Sequence, residues 1–337
     1  MTVVVDDTLF HRYGRKVFAA FWQHDGSARG RDGIGRGNCF VIFGISCWVE
    51  LVGRPVFFPL LLGLYQPKGG PSKPQLARAM AGIFARAMHP RAVHLVADAA
   101  YRSKLWQTLP CGWSFTTRLA ANATLYALAP PPTGKRGRPA TKGTRLGKPT
   151  DLAAAATWTQ ATISYYGDTC TVELAVVPCL WYGSLGKLPV QVILVRKLGS
   201  ARSYDIALVT TDPDASAEQV VVRYAARWPV EQSIKDGKTR LGAGDAQNRL
   251  PAAVARTVPF AMLCQTILIL WYHRAGTAEA DLATRRAMSP WYRHKTRISL
   301  HDMQTAFRRA RITVVSAAHE HASQNLPEAV TCTAAAA

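Results

Sequence analysis

The sequence predicts an α/β fold, with a mixed-sheet core, a mostly β insertion ahead of a glutamate-bearing helix, and a helical C-terminal part. Three observations predict it. Two apolar runs without polar alternation, Thr2–Val5 and His94–Ala97, read as buried central strands, and each stops on an aspartate. Between them, residues 73–88 carry helical periodicity, with Leu76, Met80, Ile83, Phe84 and Met88 on one stripe. From about Ala215 onward the apolar spacing is helical.

Taken in order, the first strand ends on Asp6 and Asp7 and leads into His11-Arg-Tyr-Gly-Arg-Lys16, a basic turn that reads equally as phosphate contact or as ordinary surface charge. Residues 39–65 suggest a two-stranded hairpin turning at Gly53-Arg54-Pro55. The helix follows, then the strand 93–97 that delivers Asp98, then a strand beginning at Trp113. Pro130 to Pro149 is too rich in Pro, Gly and cations to pack by itself. Strand-like runs resume at 162–166, 171–177, 190–197 and 204–210. The resulting division is 1–119 for the first part of the core and 120–205 for the β-rich insertion with its basic linker. Residues 206–280 hold the glutamate-bearing helices completing the core, and 281–337 a helical extension with a disordered tail from Pro327. Pro229 is tolerated at the first position of a helix but not inside one, so Trp228 ends one helix and Pro229 opens the next.

Composition narrows the function classes. With 41 Lys and Arg against 21 Asp and Glu, the net charge is +20, which points to a polyanionic partner; on charge alone DNA, RNA and a membrane surface fit equally. The apolar stretch Val258–Tyr272 is short and interrupted by Pro259 and Gln265, so it reads as a buried core helix and not a membrane span. Seven cysteines without a C-x2-C pair argue against a disulfide framework and a zinc site. Cys39, Cys47, Cys170, Cys179 and Cys264 lie in apolar surroundings and are expected as buried thiols, and no export segment is evident; both fit a reducing cytoplasm. There is no G-x-x-x-x-G-K-[ST] loop to hold a nucleotide cofactor and no G-x-S-x-G elbow.

The stretch Tyr224 to Lys238 is the most informative. It spaces its polar residues as Y-x2-R-x3-E-x6-K through Tyr224, Arg227, Glu231 and Lys238. Seven residues separate Glu231 from Lys238, within about 20° of one another around a continuous helix, and Lys235 shares the face. Alone, this could be a solvated ion-pair face. Upstream, however, an aspartate at the exit of each buried strand must be paired, neutralised or bound to metal. Asp6, Asp98 and Glu231 then give three carboxylates from distant regions, the donor type that holds Mg²⁺. Asp7 is the alternative to Asp6. In the linker, Arg136-Gly-Arg138-Pro139 has the core of an AT-hook, a form that sinks into a narrow minor groove, or is a solvated basic linker.

These residues resemble the DDE transposases of bacterial insertion sequences, in the branch whose third catalytic carboxylate carries the Y-x2-R-x3-E-x6-K signature. The resemblance rests on Val5-Asp6-Asp7-Thr8, Ala97-Asp98-Ala-Ala-Tyr101 and Arg227-Trp-Pro-Val-Glu231, with Lys238-Thr-Arg-Leu-Gly-Ala-Gly244 and Pro290-Trp-Tyr-Arg-His-Lys295 following. It implies an RNase H-like core and a DNA transposase that cleaves at transposon ends and joins the freed 3′-hydroxyl to target DNA, without a covalent protein–DNA intermediate. Asp6, Asp98 and Glu231 would be catalytic and would hold two Mg²⁺ ions, with Mn²⁺ as a substitute. Tyr224, Arg227, Lys235 and Lys238 would contact DNA, as would Arg136 and Arg138. The implied partner is double-stranded DNA, both transposon ends and target, engaged by a homodimer, with no membrane. In this branch a helical region usually precedes the first aspartate, whereas here Asp6 comes almost at once. The alternatives are therefore a truncated DNA-binding remnant and a metal-dependent nuclease without strand transfer.

Overall fold

The computed structural model describes residues 1–26, 33–131, 138–165 and 168–324. The expectations for Arg136 and for the tail beyond Pro327 lie outside these residues. The chain forms two compact units, one of residues 1–50 with 54–266 and one of residues 51–53 with those from Ile267 onward.

The first unit is organised by one mixed sheet. Its strands are β1 (Thr2–His11), β2 (Phe21–His24), β3 (Ile34–Val49), β4 (Arg54–Tyr65), β5 (Val93–Ala97) and β6 (Trp113–Arg118), followed by β7 (Leu125–Tyr126), β8 (Arg145–Gly147), β9 (Thr159–Tyr165), β10 (Asp168–Leu180), β11 (Pro189–Lys197) and β12 (Ile206–Thr210). Among the described residues the order is β2-β3-β1-β5-β6-β12-β11-β10-β7-β8, with β4 on β3 and β9 on β10. Residues 120–205 thus contribute β7–β11 to the same sheet as the core strands. Among the described residues only β1–β5 and β5–β6 are parallel.

The central strands carry long apolar runs because both faces of the sheet are covered. On one face α1 (Lys73–Met88) packs Ala77, Met80, Ala81 and Phe84 against Val3, Val5, Phe43 and Leu95, with Trp106 stacked on Phe115 beside them. Ser72 caps α1 in a reciprocal box with Gln75, and Pro74 sits where a missing N–H does no harm. Ile83, expected on the buried stripe, is about half exposed, because the buried arc of α1 runs through Ala77, Met80, Ala81 and Phe84. On the other face α4 (Ala217–Ala225) and α5 (Pro229–Thr239) bury Val220, Val221, Tyr224 and Val230 over Val4, Phe10, Ile42 and Val96. The remaining helices are the short α2 (Pro149–Ala155) and α3 (Tyr182–Leu185), then α6 (Pro251–Ala275), α7 (Ala278–Met288) and α8 (Leu300–Gln324).

Three expectations are corrected. The first strand does not stop at Asp6, for β1 keeps its antiparallel pairing with β3 from Thr2↔Ser46 to His11↔Gly37. The strand continues because β3 goes on offering it backbone partners as far as Gly37. Second, Pro259 does not interrupt α6, which runs 25 residues and by length and composition alone could cross a membrane. One side of it, Val258, Met262, Gln265, Ile269 and Tyr272, is buried; Phe260, Leu263, Ile267 and Leu270 are exposed. Third, Cys47 is exposed near the end of β3, beyond the continuously buried stretch that holds Cys39.

Gly44 shows how tightly the sheet is closed. A β-carbon there would lie 2.1 Å from the carbonyl oxygen of Phe58 and 2.7 Å from the Phe57 ring, at the irregularity where β3 shifts register on β4. Backbone cannot give way as a flexible side-chain end can. Gly44→Ala is therefore expected to destabilise the fold by about 3 kcal/mol or more, read as a lower urea midpoint; an unchanged midpoint would mean that the bulge relaxes freely.

Candidate functional site

The parallel pairing of β1 with β5 runs from Thr2↔His94 to Val5↔Ala97. Asp6 and Asp98 follow one residue beyond the last pair, on strands about 4.8 Å apart. β5 ends there while β1 runs on to His11, and the carboxyl end of a parallel strand is where α/β sheets characteristically bind ligands. Asp98 leaves β5 as the cap of a short 3-10 turn, its Oδ1 accepting from the Ala99 amide at 2.7 Å.

Strand alternation separates the two neighbouring aspartates. Asp6 faces α4 and α5 with Val4 and Phe10. Its Oδ2 accepts from Arg227 Nη1 at 2.6 Å, and its Oδ1 from the Asp7 amide at 2.9 Å. Arg227 Nη2 donates to Glu231 Oε1 at 2.8 Å, so one guanidinium joins the carboxylates of β1 and α5. Asp7 points the other way. It accepts from Lys73 Nζ at 2.5 Å, from the Tyr101 hydroxyl at 3.0 Å and from Cys39 Sγ at 3.4 Å. The structure therefore brings Asp6, Asp98, Arg227 and Glu231 to one side and leaves Asp7 in a satisfied ion-pair network on the opposite face.

Burial dominates the electrostatics of Asp6 and pushes its pKa up to about 6; the Arg227 charge pulls against it, while Asp7 and Asp98 add to the rise. Burial alone would lower the pKa of Arg227, but Asp6, Tyr224 and Glu231 hold it above the ordinary guanidinium range. Tyr224 is buried on α4, and burial raises its pKa against the pull of the Arg227 charge. Lys238 lies over the Phe10 ring, 5.3 Å from its centroid, and burial lowers its pKa against the opposing charge of Asp25. Lys235, four residues beyond Glu231, is exposed.

α5 is fastened to β1 at both ends. Arg227 clasps Asp6 at its start, and beyond its C-terminus the buried Arg12 donates to the carbonyls of Ala243 and Gly244 at 2.9 Å each. Of the two readings of the basic turn after β1, Arg12 takes neither: it is a structural clamp, whereas Tyr13 beside it is exposed. Arg138 is exposed on the rim of a groove of about 460 Å³ with Lys187, Leu128 and Leu180, away from these carboxylates in sequence. Lys73 and Tyr101 as partners of Asp7 escaped the sequence reading. Their only signals were the Ser72 capping box and the three-residue step from Asp98 to Tyr101.

Asp6, Asp98 and Glu231 are hard oxygen donors, one of them a buried carboxylate that demands a positive partner, and so fit a divalent cation in kind. Among the described residues no three acidic, histidine or cysteine side chains are drawn into one metal-sized group; Arg227 supplies the counter-charge. Residues 1–182 match the family model described as DDE superfamily endonuclease. No curated protein matches the chain.

Proposed function

The chain belongs to the DDE superfamily endonucleases, and from that premise we propose that it is a DNA transposase acting at transposon ends and on target DNA. The carrying observation is the meeting of Asp6 and Glu231 on Arg227, beside the strand end that presents Asp98. In this reading Asp6, Asp98 and Glu231 are the catalytic set and would hold Mg²⁺, which when bound supplies Lewis-acid activation of the attacking oxygen and stabilises the leaving one.

The protein's own groups do the rest. Arg227 offers a planar fork for a phosphodiester and Lys238 a point charge, reached over the Phe10 ring. Tyr224 is assigned to DNA contact next to Arg227, whose charge it feels. Lys235 is exposed to meet the backbone further along, and Arg138 and Arg136 contact DNA from the linker of the β-rich insertion. A net charge of +20 draws the duplex in. An RNase H-like architecture of the catalytic core, engagement as a homodimer and a cytoplasmic location belong to the same proposal.

The test is nicking and strand transfer on supercoiled plasmid. The wild type is expected to nick only with Mg²⁺ or Mn²⁺ and to join a pre-cleaved 3′-hydroxyl end to target. Glu231→Gln should keep DNA affinity and lose cleavage; cleavage that survives the change would sink the assignment of Glu231. Nicking without joined product would mean a nuclease of the same family. Metal-indifferent binding with no nicking would mean a DNA-binding remnant.

A further inference from the structure

Arg227 is not placed as a free phosphate ligand would be. Both terminal nitrogens are committed to carboxylates, at 2.6 Å to Asp6 and 2.8 Å to Glu231. The environment is uneven. The side chains of Arg227 and Asp6 are 15% and 17% exposed, while that of Glu231 is 41% exposed. The clasp is therefore shielded at its Asp6 end and open to water at its Glu231 end.

A guanidinium and a divalent cation cannot share these oxygens at low cost, since a monovalent and a divalent charge would sit within a few ångströms of each other. Meanwhile the same planar fork that grips two carboxylates also fits two oxygens of a phosphate. The backbone around Arg227 suits an exchange between them. It lies in the junction between α4 and α5, where Arg227, Trp228, Val230 and Glu231 donate to the carbonyls three residues back, at 3.0–3.1 Å. Such 3-10 bonding is a tighter and weaker form of helix, often found at hinges. α5 also begins without a side-chain cap.

We infer that Arg227 is an internal counter-cation, neutralising Asp6 and Glu231 in the DNA-free chain and releasing them to a divalent cation when a DNA phosphate takes its guanidinium. This rests on the proposed transposase reading and adds to it a coupling between two ligands. The coupling is reciprocal: whatever factor DNA adds to metal affinity, metal adds to DNA affinity. Asp98, which bonds its own turn and not Arg227, stays outside the clasp.

The experiment is a Mn²⁺ titration followed by electron paramagnetic resonance of the free ion, with the full chain alone and with a saturating short duplex whose own Mn²⁺ uptake is subtracted. Wild type is expected to bind Mn²⁺ at least tenfold more tightly with the duplex than without it. Arg227→Gln should bind Mn²⁺ at least tenfold more tightly than wild type in the absence of DNA and gain little from the duplex. Arg227→Lys, which keeps the charge but loses the planar fork, should fall between wild type and Arg227→Gln. Equal Mn²⁺ affinity of the wild type with and without duplex would overturn the coupling while leaving the carboxylate site standing. Arg227→Gln no tighter than wild type would overturn it as well. Absence of Mn²⁺ binding in every variant and condition would remove the metal site itself, and the transposase reading with it. The wild-type comparison needs no variant to fold.

Discussion

Asp6→Asn is expected to abolish metal-dependent nicking and, in the same protein, to make the fold more stable at neutral pH. The loss follows from removing a buried charged donor. A cation at such a site contributes several kcal/mol to the transition state, so at about 1.4 kcal/mol per tenfold the rate should fall by three orders of magnitude or more. The gain follows from burial. Asp6 has a folded pKa of about 6 against an ordinary value of 3.8. A group whose folded pKa is raised binds its proton more tightly in the native state. Its stabilisation is complete below about pH 3.8 and is lost as pH rises through about 6. Two pH units correspond to about 3 kcal/mol, which the wild type gives up by keeping an ionised Asp6 and the asparagine variant does not. Urea midpoints of the two proteins should coincide near pH 4 and separate steadily towards pH 7, with the variant higher. A variant less stable than wild type at pH 7 would show that the Arg227 bond outweighs the cost of burial. Retained nicking would take Asp6 out of the site.

In the second unit the largest effect is expected at Asp302, whose side chain is 2% exposed. Burial alone would raise its pKa. Lys295, the Ser299 hydroxyl and amide, and Arg285 at 2.8 Å together bring it down to about 2. Asp302→Ala would leave Arg285 and Lys295, each mostly buried, without their anion. Breaking a buried pair from one side costs about 3–5 kcal/mol, so amide exchange in α7 and α8 should quicken by two orders of magnitude or more. In the wild type the contribution of Asp302 is present above about pH 4 and lost as pH falls towards 2. Unchanged exchange in the alanine variant would show that the two cations find water or each other's carbonyls without loss.

Much of this fold could be read from local chemistry. Residues 73–88 declared a helix through the Ser72 cap and its spacing, and 93–97 a strand through an unbroken apolar run; both stand at those bounds. The break at Pro229 was legible because proline has one comfortable position in a helix. What could not be read was decided by long-range pairing. Nothing near Asp6 says that β3 will continue to pair as far as His11, and nothing near Glu231 says that Arg227 will turn to reach residue 6, 221 positions away. The face of each aspartate follows from strand parity, but which face α5 would cover is tertiary.

The alternation that opposes the aspartates of β1 also makes the strand intolerant of a frame error. Inserting or deleting one residue ahead of Asp6 would invert every side chain of the strand, because side chains alternate with a period of two. The sequence would still offer a carboxylate to Arg227, but it would be Asp7, and Asp6 would be carried round to Lys73 and Tyr101. Charge would be conserved on both faces while Val4 and Val5 exchanged cores. The doublet Asp6-Asp7 thus tolerates the shift in charge alone, and it is the apolar residues around it that hold the strand to one frame.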